Sequence, residues 1–171
     1  VLELRRLQLG DEKAFYEAYK EFQSSEDFDF VSHYREEMEF CDLIRILKEQ
    51  EKGKNLPDGF VPSTFLFGFV DVKIVGRAMI RHQLNDFLRR IGGHIGYGVV
   101  PSERRKGFAT QMLQASLKEA KSLGIQKALV TCDDDNLFSR KIIEKSGGQF
   151  ERTSEQGDGF PEKRLYWISI T

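Results

Sequence analysis

The sequence predicts a single α+β domain over residues 1–171, with a mixed, mostly antiparallel central sheet flanked by helices. Three observations support this prediction. Apolar residues recur at helical spacing in several segments, they alternate with a period of two between residues 64 and 80, and short apolar strands then alternate with helices. The predicted order is β-α-α-β-β-β-α-β-α-β-β. A chain of this length suits one hydrophobic core.

The first part of the chain predicts a strand and two helices. The strand covers about Leu2–Leu9, and Gly10–Asp11 opens the first helix. A second helix is expected from about Ser32, because apolar side chains recur on one side of it: Tyr34, Met38, Cys41, Ile44 and Leu47. A polar loop over residues 51–59, which contains glycine and proline, then leads to the sheet.

The middle of the chain predicts the centre of the sheet. Residues 64–70 and 74–80 alternate with a period of two and are separated by a short polar turn, which is typical of an antiparallel hairpin. A short helical turn is expected over Asn85–Arg90. Another strand runs from His94 to Val100 and is ended by Pro101.

The last third predicts two helices and three strands. Gly107–Leu123 is a long amphipathic helix, and Gly124 is well placed to end it. A buried strand, a short helix and a glycine break follow. The predicted bounds of the remaining elements are Gln126–Thr131 for the buried strand, Asn136–Lys145 for the short helix, and Gln149–Thr153 and Lys163–Ile170 for the final two strands.

Composition excludes several classes of protein. Hydrophobic residues make up 40% and charged residues 31%, and the net charge of −1 gives no electrostatic case for nucleic acid or an anionic membrane. Without a signal-like or membrane-spanning run, and with Cys41 and Cys132 expected to be free thiols, a cytoplasmic location is predicted. His33, His82 and His94 share no metal-ligand spacing, so no metal site is expected.

The most informative stretch runs from Val99 to Thr110. A strand ends at a proline, a basic turn follows, and a glycine opens a helix. A helix N-terminus offers unpaired N–H groups and a positive dipole end, so this segment suits an anion such as a phosphate. An ordinary solvated basic turn is the alternative. The pattern is neither a Walker loop nor a dinucleotide fingerprint.

This segment resembles the signature of the GNAT-type N-acetyltransferase superfamily, [QR]-x-x-G-x-[GA]. Residues 104–109, Arg-Arg-Lys-Gly-Phe-Ala, match it, and Val99-Val100-Pro101 precedes them as in the family. A second run, with Asn136, Ser139 and Gly147 after a strand, resembles the family's N-x-x-[AS]…G pattern. The well-matched region covers residues 92–150, and the order of the remaining elements agrees with the fold.

The resemblance implies a site for acetyl-CoA. In the family the strand before the signature binds the pantetheine arm through its backbone, which implies that role for Val99 and its neighbours Tyr97 and Val100. The amides of the signature would hold the pyrophosphate, and the residues concerned here are Arg104, Arg105, Lys106, Gly107, Phe108, Ala109 and Thr110. Asn136 and Ser139 would flank the pantetheine, although Asn136 also suits a helix N-cap.

The chain departs from the family at the leaving group. Many members carry a tyrosine four residues before the motif glycine as an acid for the departing thiolate, and Ile143 stands there in this chain. A thiol with a pKa of about 8.5 leaves without full protonation, so the loss is expected to cost little. For the base that deprotonates the amine, the candidates are His94, Tyr97 and the run Asp133–Asp135, with water-relayed deprotonation through His94 preferred.

The expected reaction is direct acetyl transfer from acetyl-CoA to a primary amine of a small molecule or peptide. The segment Glu21–Asp42 carries eight acids against one arginine, which favours a cationic acceptor if this segment borders the site. A catalytically inactive CoA-binding or sensor domain of the same fold is the main alternative, and a nucleic-acid-binding module is a weaker one. A monomer and a homodimer both remain open.

Overall fold

The computed structural model describes residues 1–24, 29–32 and 34–170. Within these residues seven strands form one sheet in the order β1-β2-β3-β4-β5-β7-β6. The strands are β1 (Glu3–Arg5), β2 (Ser63–Val70), β3 (Lys73–Arg81), β4 (Ile95–Val99), β5 (Lys127–Asp133), β6 (Gln149–Ser154) and β7 (Lys163–Ser169). The α-helices in the same residues are α1 (Glu12–Gln23), α2 (Phe40–Glu51), α3 (Phe108–Ser122) and α4 (Leu137–Lys145). The predicted fold class and element order are confirmed.

The sheet is antiparallel at every pairing except that of β4 with β5. These two strands run parallel, and their register contains the single pair Ile95 and Val130. Just before it, the His94 N–H donates to the Leu129 carbonyl at 2.7 Å. Beyond Ile95 no further pairing joins the two strands in the described part of the chain, so a gap lies between their carboxyl ends.

The sheet buries a core on each of its faces. Phe65, Phe67 and Phe69 alternate along β2 and pack with α1 and α2 on one face. Leu66 of the same strand points to the other face, where it belongs to the core formed with α3 and α4. Because both faces of β2 are covered, its sequence is apolar at nearly every position rather than alternating with polar residues.

Helix α3 packs tightly on the sheet because β3 offers it a glycine. A Cβ at Gly76 would lie 2.7 Å from the Met112 sulfur and 2.5 Å from the Gly98 carbonyl oxygen. Neither distance is compatible with a side chain. The glycine therefore lets α3 approach β3 and β4 closely, which places the N-terminus of α3 at the end of β4.

Two predicted bounds are wrong. The second helix begins at Phe40 rather than Ser32, and the preceding residues form turns in which the Tyr34 N–H donates to the Val31 carbonyl at 3.0 Å. Tyr34 is buried through edge contact with Phe15, at 5.2 Å between ring centroids, so its helical spacing is coincidental. The first strand ends at Arg5, because a 3-10 turn at Leu9–Asp11 leads into α1.

None of the described helices has the length and the apolar run that crossing a membrane requires.

Candidate active site

A cavity of about 570 Å³ opens where β4 ends, between the N-termini of α3 and α4. It brings together most of the residues that the sequence pointed to. The lining comprises Phe22 from α1; Tyr97, Gly98 and Val99 from β4; Glu103, Arg104, Arg105, Gly107, Phe108, Ala109 and Thr110 from the following turn and α3; and Asn136, Phe138, Ser139 and Ile142 from α4 and its cap.

One wall of the cavity is the edge of β4 that faces the gap toward β5. The Val100 N–H donates to the Val75 carbonyl of β3 at 2.9 Å. Because backbone direction alternates along a strand, the peptide groups of Tyr97 and Val99 point the other way, into the gap toward β5. Arg104 Nε reaches the Val99 carbonyl only at 3.4 Å. An extended ligand in this gap can hydrogen-bond to β4 as a neighbouring strand would.

The second wall is the start of α3. Gly107 is the N-cap, with φ of 82°, and the Gln111 N–H donates to its carbonyl at 3.3 Å as the first turn of the helix. The N–H groups of Phe108, Ala109 and Thr110 precede that bond, so the helix itself offers them no acceptor. A Cβ on Gly107 would meet no atom within 4 Å, which leaves open space at this point of the cavity. The geometry suits an anion.

Of the three basic residues in the turn before α3, two line the cavity and Lys106 does not. Arg104 and Arg105 are exposed and line it. Lys106 lies outside the lining, and its ammonium pairs with the lining residue Glu103 at 2.9 Å. Glu103 also pairs with Lys73 at 2.6 Å, and these two hydrogen bonds lower the pKa of its carboxyl. Lys106 therefore adds positive charge near the cavity without reaching into it.

Val100, another predicted ligand, also lies outside the lining. Its side chain is buried in the core formed with α1 and α2, and its N–H is engaged by β3. The alternation of strand direction explains this placement, since only every second peptide of β4 faces the gap.

Asn136 caps α4 and lines the cavity at the same time. Its side-chain oxygen accepts a hydrogen bond from the Ser139 N–H at 3.1 Å. The amide also carries two N–H donors, so capping the helix and contacting a ligand are compatible roles.

Tyr97 contributes a buried hydroxyl. The phenol oxygen is buried beside the side chain of Ser139. Burial raises the pKa of Tyr97 to about 12, against an opposing effect of the neighbouring Ser139. The phenol is therefore protonated at neutral pH, where it can donate a hydrogen bond but is a poor base.

His94 is not brought into the cavity. The Leu129 N–H donates to its Nδ1 at 2.9 Å, and the side chain is buried against Trp167, with ring centroids 6.3 Å apart. Burial, with Arg89 and Arg81 nearby, lowers the pKa of His94 to about 4. A neutral imidazole here joins β4 to β5, and its distance from Val99 along the strand keeps it away from the site. We therefore do not assign the base to His94.

Two of the three acids in the run Asp133–Asp135 at the end of β5 are ion-paired, and Asp135 is exposed. Asp133 lies 2.6 Å from the Lys163 ammonium, and Asp134 lies 2.7 Å from the Arg164 guanidinium. Ile143, which stands where a family tyrosine would be, is fully buried and packs against Gly148. It supplies no proton.

Part of the acidic segment lines a second cavity, of about 560 Å³, beside α1. Its acids are Asp29, Glu36 and Glu37, while Glu26 and Asp27 lie outside the described residues. Helix α1 borders both cavities, since Tyr19 lines the second and Phe22, one turn later, lines the first.

Arg77 holds this segment against the sheet, a role that sequence reasoning missed. Its buried guanidinium donates to the Asp29 and Phe30 carbonyls at 2.6 Å each, and the Phe30 ring stacks on Phe22 at 4.6 Å. An arginine within an alternating apolar strand was the available signal. The segment that carries Asp29 is thus fixed beside the first cavity.

No group of three or more histidine, cysteine or acidic side chains among the described residues could hold a metal ion; His33 lies outside them.

Comparison with known proteins places this geometry in a family. The family model for the acetyltransferase (GNAT) domain matches residues 2–149. No curated protein sequence matches significantly.

Solved structures share the fold at low sequence identity. One is RimL, the ribosomal L7/L12 alpha-N-protein acetyltransferase, which was solved with coenzyme A in a disulfide with one of its own cysteines. Its sequence is 16% identical to this chain, and the two structures align with a TM-score of 0.73 over 99% of this chain and 94% of that chain. A Salmonella typhimurium protein assigned as an acetyltransferase, yncA, was solved with acetyl-CoA; it is 13% identical, with a TM-score of 0.66 over 99% and 94%.

The spermidine/spermine N-acetyltransferase SpeG from Vibrio cholerae is also similar, in mutant forms, at 16% identity and a TM-score of 0.64 over 99% of this chain and 95% of that chain. The family model matches most of the chain, and the parallel strands with separated carboxyl ends agree with it: the protein belongs to the GNAT acetyltransferase family.

Proposed function

We propose that the protein transfers the acetyl group of acetyl-CoA directly to a primary amine. The observation that carries this proposal is the cavity that joins the free edge of β4 to the N-terminus of α3. An extended thioester arm fits the first wall and a diphosphate fits the second, which is the chemical make-up of coenzyme A. RimL and yncA, which share the fold, were solved with coenzyme A and acetyl-CoA.

In this proposal each wall binds a different part of the donor. The N–H groups of Phe108, Ala109 and Thr110 hold the pyrophosphate, and the open space at Gly107 admits it. Arg104 and Arg105 add charge at the rim. The pantetheine arm lies along the peptides of Tyr97 and Val99, whose N–H groups also polarise the thioester carbonyl as its oxygen gains charge.

Direct transfer is favoured over a cysteine-linked intermediate. Cys132 does not line the cavity, and burial raises the pKa of its thiol to about 11, so the reactive thiolate is scarce. Both cysteines are free thiols, which favours a reducing compartment such as the cytoplasm.

The acceptor is proposed to be cationic. The acids Asp29, Glu36 and Glu37 line the second cavity beside α1 together with Arg35, and their excess negative charge would attract a protonated amine. SpeG, which shares the fold, is named for spermidine and spermine, and RimL for a protein N-terminus; both are amines. An alkylamine of pKa about 10.4 must lose a proton before it attacks, and we propose that water carries that proton to solvent.

A panel of amines tests the proposal. Purified protein is mixed with acetyl-CoA and amino acids, polyamines, aminoglycosides or peptide N-termini, and free thiol is followed together with the mass of the amine. We expect thiol release that depends on the amine and matches the acetylated product. Binding of acetyl-CoA without amine-dependent release across the panel would favour the alternative, a CoA-binding domain without catalysis.

A further inference from the structure

One aromatic side chain that lines the first cavity is largely exposed to solvent. Phe138, in the first turn of α4, is 72% exposed. The other aromatic residues of the lining, Phe22, Tyr97 and Phe108, are buried or half-buried. Single exposed apolar residues are ordinary on protein surfaces, but a ring that is exposed and also lines a cavity suits a flat ligand that covers it.

The start of α4 determines on which face of the sheet this ring lies. Asn136 caps the helix through the Ser139 N–H at 3.1 Å, and Ile143, about one turn later, is buried in the core formed with α3 and α4. Phe22 of α1 belongs to the core on the opposite face. Phe138 therefore shares a face with the start of α3, where the pyrophosphate is proposed to bind. The acids of the proposed acceptor site lie beside α1.

The two walls of the cavity leave one part of the donor without a site. Acetyl-CoA consists of a thioester arm, a diphosphate and an adenine nucleoside, joined in that order. The arm is proposed to follow β4 into the gap, and the diphosphate to lie at the start of α3. The nucleoside is attached to the far end of the diphosphate, so it points away from the gap and toward solvent. An exposed ring on the same face, at the start of the neighbouring helix, matches that position.

We propose that the adenine ring of acetyl-CoA stacks on the side chain of Phe138. This inference rests on the proposed acetyl transfer and adds a site for the nucleoside end of its donor. Loss of one base–aromatic stack weakens binding about five- to a hundredfold. Adenine takes no part in the bonds that form or break, so the stack holds the substrate and the transition state equally. Its loss should raise KM for acetyl-CoA and leave kcat unchanged.

The test compares Phe138→Ala with Leu137→Ala. Leu137 is the matched control, because it lies in the same helical turn and is 57% exposed but does not line the cavity. Both variants truncate an exposed side chain, so both should keep the melting temperature of the wild type. In calorimetric titration, Phe138→Ala should bind coenzyme A about five- to a hundredfold more weakly, and Leu137→Ala should bind it as the wild type does.

A truncated donor assigns the effect to adenine. The compound 4′-phosphopantetheine keeps the thiol arm and one phosphate but lacks the adenine nucleoside. The wild type and both alanine variants should therefore bind it with the same affinity. In steady-state acetylation, Phe138→Ala should raise KM for acetyl-CoA by the factor seen in calorimetry, with kcat and KM for the amine unchanged.

Phe138→Trp gives a direct optical signal of the stack. An indole ring also stacks on adenine, so this variant should bind coenzyme A about as tightly as the wild type. Coenzyme A should quench the added fluorescence, whereas 4′-phosphopantetheine should not. The wild type, whose single tryptophan is Trp167, supplies the background to subtract.

Four results would refute the adenine site and leave the proposed function standing. These are unchanged coenzyme A affinity in Phe138→Ala, an equal loss of affinity for 4′-phosphopantetheine, a rise only in KM for the amine, and unquenched fluorescence in Phe138→Trp. If the wild type binds neither coenzyme A nor acetyl-CoA, the proposed function fails and the adenine site fails with it.

Discussion

Replacing Gly107 by alanine separates the strain of its backbone from its role in binding phosphate. Gly107 has φ of 82°, and Gly124, at the other end of α3, has φ of 83°. A Cβ at either position would meet no atom within 4 Å. Alanine at either site must adopt the same left-handed backbone conformation, which should lower the free energy of unfolding by about 1–2 kcal/mol and the melting temperature by roughly 2–8 °C. Only Gly107 lines the cavity.

The expected difference lies in binding. At Gly107 the added methyl occupies space that the pyrophosphate needs, so Gly107→Ala should weaken acetyl-CoA binding at least tenfold, about 1.4 kcal/mol, and Gly107→Val should abolish it. Gly124→Ala should bind as the wild type does. Arg104→Ala should weaken binding less than Gly107→Ala, because an exposed ion pair contributes only about 0.2–1 kcal/mol.

Calorimetric titration with acetyl-CoA measures these affinities, and thermal unfolding measures the shared strain. Equal loss of melting temperature in both alanine variants, with loss of binding only at position 107, is the expected outcome. Normal acetyl-CoA binding by Gly107→Val would place the pyrophosphate elsewhere and refute the reasoning.

Two further predictions concern His94 and the acceptor. The pKa of His94 in the folded protein, about 4, lies below its ordinary value of 6.5, so between these pH values the unfolded chain binds a proton at His94 more readily than the folded chain does. The free energy of unfolding should therefore fall as the pH drops from about 6.5 to 4. The variant His94→Gln should show a smaller fall over the same range. The acidic limb of kcat/KM should be the same in His94→Gln as in wild type, and a shifted limb would return His94 to the mechanism. For a cationic acceptor, the rate should decrease with ionic strength, and Glu36→Gln with Glu37→Gln should raise KM more than it lowers kcat. A neutral or anionic best acceptor would end the electrostatic explanation.

The cavity wall at the start of α3 could be predicted because its signals are local. A strand ending at Pro101, a glycine with positive φ and the start of a long helix follow one another within a few residues, and local sequence determines each. The hairpin of β2 and β3 was predictable for the same reason, since its turn and alternation are contiguous.

The contacts of individual side chains could not be predicted, because they depend on partners distant in sequence. His94 is buried between β4 and β5, where its ring accepts a hydrogen bond from the N–H of Leu129, 35 residues later, and this burial lowers its pKa. The predicted start of α2 was wrong because Tyr34 is buried by its contact with Phe15 and is not part of a helix. Arg77 is paired with carbonyls 47 and 48 residues earlier in the chain. Each of these contacts requires the tertiary arrangement.

The crystal structure of the complex with acetyl-CoA tests the central claim most directly. We predict pyrophosphate oxygens within hydrogen-bond distance of the N–H groups of Phe108, Ala109 and Thr110. The pantetheine arm should lie in the gap between β4 and β5, along the peptides of Tyr97 and Val99. A donor bound outside this cavity, or a pyrophosphate with no contact to the start of α3, would contradict the account.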